Sequence, residues 1–266
     1  MAIKTVNKRL KTCLWHWTSN KLLAFWAGVK AQREIIMDIK LYETVQNAAK
    51  IVHANLSNFI DSHSTEKTIV DAALELLKQQ GITDTWYHGV PAFVLLGSRS
   101  CESISGRDYE PSNEKVGDKN LVTIDLSPMV GNIWGDCARS YFIENGKCIS
   151  NPECVEFQEG ASIELELHNI MTEFVTPNTL FSELYEFGNQ EIKKRGFENL
   201  DFLSNLGHSI ETDTSKRRFI DKNCSDVLGS VNLFTFEPHI RRQGKTWGFK
   251  HENIYYFNDE GCAVEL

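Results

Sequence analysis

The stretch LVTIDLSPMVGNIWGDCARSYFI, residues 121–143, decides how this chain is read. Val122, Thr123, Ile124 and Leu126 form one β-prone run; Ala138, Ser140, Tyr141, Phe142 and Ile143 form a second. Between them Pro128, Gly131, Asn132 and Gly135 favour turns, so the segment reads as strand, turn, strand. Asp125 falls near the middle of the first strand and Asp136 at the start of the second, eleven positions later. An ionised Asp inside an apolar strand is costly unless it is paired, hydrogen-bonded or bound to a metal. Two of them brought together repel, and a divalent cation turns that repulsion into attraction.

Three residues of the second half share this chemistry. His208 follows Gly207 in NLGHSIE, Glu237 closes the apolar run of VNLFTFEP, and Glu252 lies among β-prone aromatics in WGFKHENIYYF. Taken singly, each has an ordinary reading: a hydrogen-bonded structural His, or a strand carboxylate pointing to solvent. Together, two Asp, one His and two Glu make a hard, mostly oxygen donor set suited to Mn²⁺, Fe²⁺, Co²⁺ or Zn²⁺ in a two-metal site. Two ions a few ångströms apart can share carboxylates and lower the pKa of a common water.

Helical spacing of apolar residues is expected from Asp38 to Ile60 (Leu41, Val45, Ala48, Ile51, Val52, Leu56, Phe59) and over Glu66–Gln80, the latter with Ser64 as N-cap and Gly81 closing it. Ala92–Leu96 reads as a strand and 97–120 as a polar loop. Further helices are expected at Glu156–Phe174 and Thr179–Arg195, then strands at Val231–Glu237 and Gly248–Phe257. The order helix, helix, strands therefore occurs twice, which predicts an α+β fold of two similar halves with a site between them.

The motifs IDLSP, GDCARSY, LGHSI, FTFEP and KHEN, with YHGVPAFV at 87–94, resemble those of the pita-bread metallopeptidases, the family of methionine aminopeptidase, aminopeptidase P, prolidase and creatinase. The similarity covers residues 38–266. It implies the pita-bread fold, a curved and mostly antiparallel sheet flanked by helices. It also implies two divalent ions (Mn, Co, Fe or Zn), with Asp125 chelating one and His208 and Glu237 the other, bridged by Asp136 and Glu252. The activity implied is that of a metal-dependent, aminopeptidase-like hydrolase, in which a water activated by two metals attacks an amide or other C–N bond. Peptides or small amides are the expected substrates, with Glu237 as proton shuttle.

Two histidines that the family's peptidases use beside the scissile bond have no counterpart. Counting sixteen residues from His88 reaches Ile104, and Ser215 stands where the other is expected, with Ser209 and Glu211 replacing glycines of the same motif. His88 and His239 are the candidate substitutes, so the catalytic candidates are Glu237, His88 and His239. The departures keep two alternatives in view: a C–N hydrolase or lyase acting on a small metabolite, and a catalytically silent binding protein on the same fold. The basic run Lys216-Arg217-Arg218 is usually a solvated turn, but near His208 it could grip a substrate carboxylate. Cys137, beside Asp136, is expected to point away from the metals.

Composition sets the remaining bounds. The chain has 266 residues, 41% hydrophobic and 24% charged, with no apolar run long enough to span a membrane. A net charge of −8 argues against nucleic acid as a partner. Its seven cysteines include no CxxC pair, which points to free thiols in the cytoplasm. A homodimer is the candidate assembly. Residues 1–36 differ from the rest, with seven basic residues against Glu34 alone and three Trp. They read as a helical extension outside the fold proper, which is taken as one catalytic domain over 37–266. A signal peptide is disfavoured because the apolar run at 22–27 is short and closely followed by Lys30 and Arg33.

Overall fold

The computed structural model describes residues 39–266, so the expectations for residues 1–36 lie outside the described residues. One compact unit spans Tyr42–Leu266 and, apart from the first residues of the opening helix, carries all that follows.

Helix α1 covers 39–56 and runs into a 3₁₀ turn, Ser57–Phe59. Val45, Ala48, Val52 and Leu56 are buried as its spacing predicts, whereas Ile51 and Phe59 are exposed. Helix α2, Glu66–Gln79, is capped by Thr65 rather than Ser64: Thr65 Oγ1 accepts from Thr68 N, and Thr68 Oγ1 accepts from Thr65 N. Glu66 does more than face the helix dipole. It is fully buried, and its carboxylate accepts from Leu96 N, Ser112 N and Arg99 Nε, tying helix to strand and loop.

Strands β1 (Asp84–Thr85), β2 (Ala92–Leu96), β3 (Asn120–Leu126), β4 (Pro128–Val130), β5 (Ile133–Trp134), β6 (Cys137–Glu144) and β7 (Lys147–Ile149) follow. β2, β3, β6 and β7 form an antiparallel sheet in that order, and β4 and β5 fold the predicted turn into a small hairpin beside β1. The register sets Asp125 opposite Phe93 on one side and Ala138 on the other. In the second half, α3 (Val155–Phe174) and α4 (Phe181–Lys194) precede β8 (Phe197–Asn199), β9 (Phe234–Phe236), β10 (His239–Arg242), β11 (Gly248–Lys250), β12 (Asn253–Phe257) and β13 (Ala263–Glu265).

Two departures from expectation matter for the site. β10 begins directly after Glu237-Pro238, so the chain turns back into sheet where none was foreseen. The expected strand Gly248–Phe257 is broken at His251-Glu252, because the chain changes partner there: β11 pairs with β10 and β12 with β9. Between them Glu252 pairs with Ala138 of the first half, its N–H donating to Ala138 O at 3.0 Å.

That bridge lies at the centre of an internal likeness. In the first half His53 of α1 contacts Tyr141 Oη (2.8 Å) and Cys137 O (2.9 Å); in the second His168 of α3 contacts Tyr255 Oη (2.7 Å) and His251 O (3.1 Å). A carbonyl can only accept, so each Nε2 carries the proton. Burial lowers both histidines to about 3, which keeps them neutral. Each helix is thus pinned to its strand by the same pair, although the two halves share no sequence repeat.

Glu164 of α3 faces the same interior, with Ser140 Oγ donating to it at 3.3 Å. Burial raises it from 4.5 to about 8, against smaller opposing effects of Ser140 and Arg139. A folded-state value above the unfolded one contributes stability that is complete below pH 4.5 and is lost as pH rises through 8. Glu164→Gln is expected to remove that loss: relative to wild type, its melting temperature should rise steadily between pH 5 and pH 9. Parallel pH profiles for the two proteins would refute the assignment.

Candidate metal centre

The site is assembled from both halves, and the backbone of each places its groups before any ion is considered. Asp136 is held from α1, where Gln46 Nε2 donates to Asp136 O (2.7 Å) and Asp136 N donates to Gln46 Oε1 (3.0 Å). On the other side Trp86 Nε1 donates to Gly135 O at 2.9 Å. A side chain at position 135 would meet Gln46 Oε1 at 2.8 Å, so glycine there lets the clamp close. His208 follows a glycine at φ +136°, where an added Cβ would come within 2.4 Å of Thr235 O. Its own N–H donates to Thr235 Oγ1 at 3.0 Å.

His208 Nδ1 lies 3.1 Å from Ser209 O, and since that carbonyl can only accept, Nδ1 carries the proton. The lone pair is therefore on Nε2, 3.4 Å from Asp136 Oδ2 and 3.8 Å from Glu237 Oε1. A second-shell carbonyl fixing the tautomer of a ligand imidazole is the usual arrangement at metal sites. Glu252 is 0% exposed, and both of its carboxylate oxygens lack a hydrogen-bond partner. Ligand atoms of Asp136, His208 and Glu252 lie within 4.8 Å of one another, and among the described residues this group of three could hold a metal ion.

Asp125 and Glu237 reach the same place but face a different group. Lys250 Nζ is 2.5 Å from Asp125 Oδ2, 3.1 Å from Glu237 Oε2 and 3.9 Å from Glu252 Oε2. All five expected residues are thus brought together, with an ammonium among them. Burial raises Asp136 to about 7, and Glu252 lies well above the usual range, with its carboxylate neighbours adding to burial. Burial also raises Asp125, with Lys250 opposing. Burial would raise Glu237 as well, yet Lys250 and His208 bring it below its ordinary value.

Lys250 was readable only as part of KHEN. The signal was strand alternation, because residues two apart share a face and Lys250 therefore points where Glu252 points. His251 by the same rule turns away, and it lies against His168 with ring centroids 4.7 Å apart. Cys137 likewise faces the apolar core of the first half.

The carboxylates floor a cavity of about 400 Å³ walled by Trp86, Tyr87, Phe93, Ile104 and Phe219. His239 lines it, with Nε2 donating to Ser100 O at 2.6 Å. That leaves Nδ1 as an acceptor, and burial lowers the ring to about 4, so His239 presents a lone pair rather than a proton. His88 lines the cavity too, exposed, its ring tilted against Tyr87 with centroids 4.8 Å apart, in a left-handed conformation at φ 49°. Ser215 is exposed and lies outside the cavity lining. Of the basic run, Arg217 enters the cavity with its guanidinium 4.6 Å above Trp86, while Arg218 pairs with Glu211 and Asp226.

Residues 40–259 match the family model described as Metallopeptidase family M24. A methionine aminopeptidase of Chlamydia trachomatis is 24% identical over 175 residues, which is 58% of this chain and 57% of that protein. Among solved structures, an X-Pro aminopeptidase from Thermotoga maritima superposes with a TM-score of 0.71 at 19% identity, covering 86% of this chain and 60% of the other. A prolidase from Pyrococcus furiosus gives 0.70 at 20% identity, with 86% and 63% covered. A methionine aminopeptidase from Thermotoga maritima gives 0.65 at 15% identity, with 84% and 93% covered. These likenesses establish the pita-bread fold, and the chain spans little more than half the length of the curated relative.

The Gln46 clamp gives a direct test of how Asp136 is positioned. Gln46→Ala leaves a buried N–H and a buried C=O without partners, at a cost of about 1–3 kcal/mol. The expected result is a lower melting temperature together with weaker binding of added Mn²⁺. A variant that melts and binds like wild type would show that Gln46 does not position the ligand.

Proposed function

Because the chain belongs to metallopeptidase family M24, we propose that it is a metal-dependent hydrolase, aminopeptidase-like in chemistry, cleaving an amide or related C–N bond. The observation that carries this reading is Glu252, a carboxylate fully shielded from solvent with both oxygens unpartnered beside Asp136 and His208 Nε2. A buried anion persists only against a cation, and two carboxylates with an imidazole lone pair suit a divalent transition ion. Asp136, His208 and Glu252 would hold that ion, with Mn, Co, Fe and Zn as the candidates. When bound, it supplies Lewis-acid polarisation of a carbonyl and acidifies water.

The chain's own groups supply the rest. Glu237 faces the cavity as a carboxylate, with His208 and Lys250 as its neighbours, and is placed to take a proton from attacking water. His239 Nδ1 can accept from a substrate N–H, which orients the scissile group without polarising its carbonyl. Trp86, Phe93 and Phe219 exclude water from one side, and Arg217 offers a cation to an acidic substrate group. Peptides and small amides are the proposed substrates. The six cysteines among the described residues are all free, which supports a reducing compartment such as the cytoplasm.

A small-metabolite C–N bond is the second reading. It is favoured by Ile104 in the cavity wall and Ser215 outside it, where peptidase-like chemistry would want imidazole donors.

The test is hydrolysis of a panel of dipeptides and small amides by Mn²⁺-loaded and chelator-treated protein, beside Asp136→Asn. Chelation and the substitution should each lower the rate by about 10²-fold or more. Turnover indifferent to both would sink the proposal.

A further inference from the structure

The family's two-ion expectation meets an obstacle in this chain's own residues. Asp125 and Glu237 are the two carboxylates that do not belong to the Asp136–His208–Glu252 group, and both turn an oxygen toward Lys250 Nζ, at 2.5 and 3.1 Å. We propose that Lys250 serves as a built-in cation in place of one divalent ion, so that the site holds a single ion at Asp136, His208 and Glu252. This rests on the reading of the site as a metal centre given above.

Three observations support it. Position is the first: the ammonium touches the carboxylates that a second ion would have to share, and it lies 3.9 Å from Glu252 Oε2, so an ion there would sit against it. Charge is the second. Four carboxylates and a neutral imidazole are balanced by two divalent ions; with the ammonium enclosed, one ion leaves a single net negative charge and two ions a single net positive one, so the ammonium already supplies part of what a second ion would.

The third is that Lys250 is built in. Lys250 N donates to Ser140 Oγ (2.9 Å), and Lys250 O lies 3.2 Å from the same hydroxyl oxygen, holding its backbone against β6. It pairs across strands with His239 and points to the same face as Glu252. Its place in the second half mirrors that of Asp136 in the first. The offset of 114 that takes Cys137 to His251 and Tyr141 to Tyr255, the partners of His53 and His168, also takes Asp136 to Lys250. The second half carries an ammonium at the position where the first carries a carboxylate.

The experiment counts ions rather than turnover. The full chain is equilibrated with Mn²⁺ and measured by native mass spectrometry and by electron paramagnetic resonance, for wild type, Lys250→Ala and Asp136→Asn. Wild type should hold one Mn²⁺ with the six-line signal of an isolated ion. Lys250→Ala should hold two, with the broadened signal of a spin-coupled pair. Two coupled ions in wild type would overturn the inference and leave the metal-hydrolase reading intact. One ion in Lys250→Ala would also overturn it, because Lys250 would not be what keeps the second ion out. No ion in wild type, matching Asp136→Asn, would overturn both. Should Lys250→Ala not fold, the wild-type count alone decides.

Discussion

Four carboxylates enclosed in one cleft, Asp125, Asp136, Glu237 and Glu252, are the constraint on which the rest of this structure depends. Removing a carboxylate from water costs several kcal/mol even after relaxation, so a group of four requires compensation at every oxygen. The compensation is divided. Lys250 faces Asp125 and Glu237, whereas Asp136 meets the lone pair of His208 Nε2 and Glu252 has no hydrogen bond at either oxygen. The residual imbalance falls on one side of the cleft, and that is where the donor set for an ion stands. Burial pushes Asp125, Asp136 and Glu252 up, with Lys250 opposing at Asp125, while at Glu237 the neighbouring charges, Lys250 foremost, outweigh burial and lower it.

Holding these groups against their mutual repulsion is the task of the two halves. Each pins a helix to a strand by a neutral His–Tyr pair, and the Ala138–Glu252 bridge joins the two. The likeness of the halves ends where function begins. At equivalent places one half offers Asp136 and the other Lys250, and the C-terminal residue Leu266 is drawn back to Lys50 of α1 through its backbone carbonyl. Rigid packing of this kind allows ligand atoms within 4.8 Å of one another without a metal to gather them.

The cavity above the carboxylates departs from a peptidase pattern in a consistent direction. Besides His208, the imidazoles present are His239, an acceptor, and His88, an exposed ring, and Ile104, Trp86 and Phe219 make up part of the wall. Arg217 above Trp86 adds a cation that a neutral peptide bond would not need. The centre carries the donor set for an ion, while the wall combines apolar rings with the Arg217 cation.

Periodicity alone located α1 to α4, the strand holding Asp125 and the strand that follows Asp136, because helix and strand stripes report which face is buried. It misjudged Ile51 and Phe59, since a stripe indicates a direction but not how far the neighbouring element extends. The run Gly248–Phe257 reads as one strand because β-propensity carries no information about pairing partner, and the change of partner at Glu252 breaks it. By itself the sequence singled out five residues, Asp125, Asp136, His208, Glu237 and Glu252, that the tertiary structure brings to one cleft. The tertiary structure decided how those charges are shared. Whether Lys250 points to solvent or into the carboxylates depends on strands from both halves meeting, and no local pattern encodes a distance between residues more than a hundred positions apart.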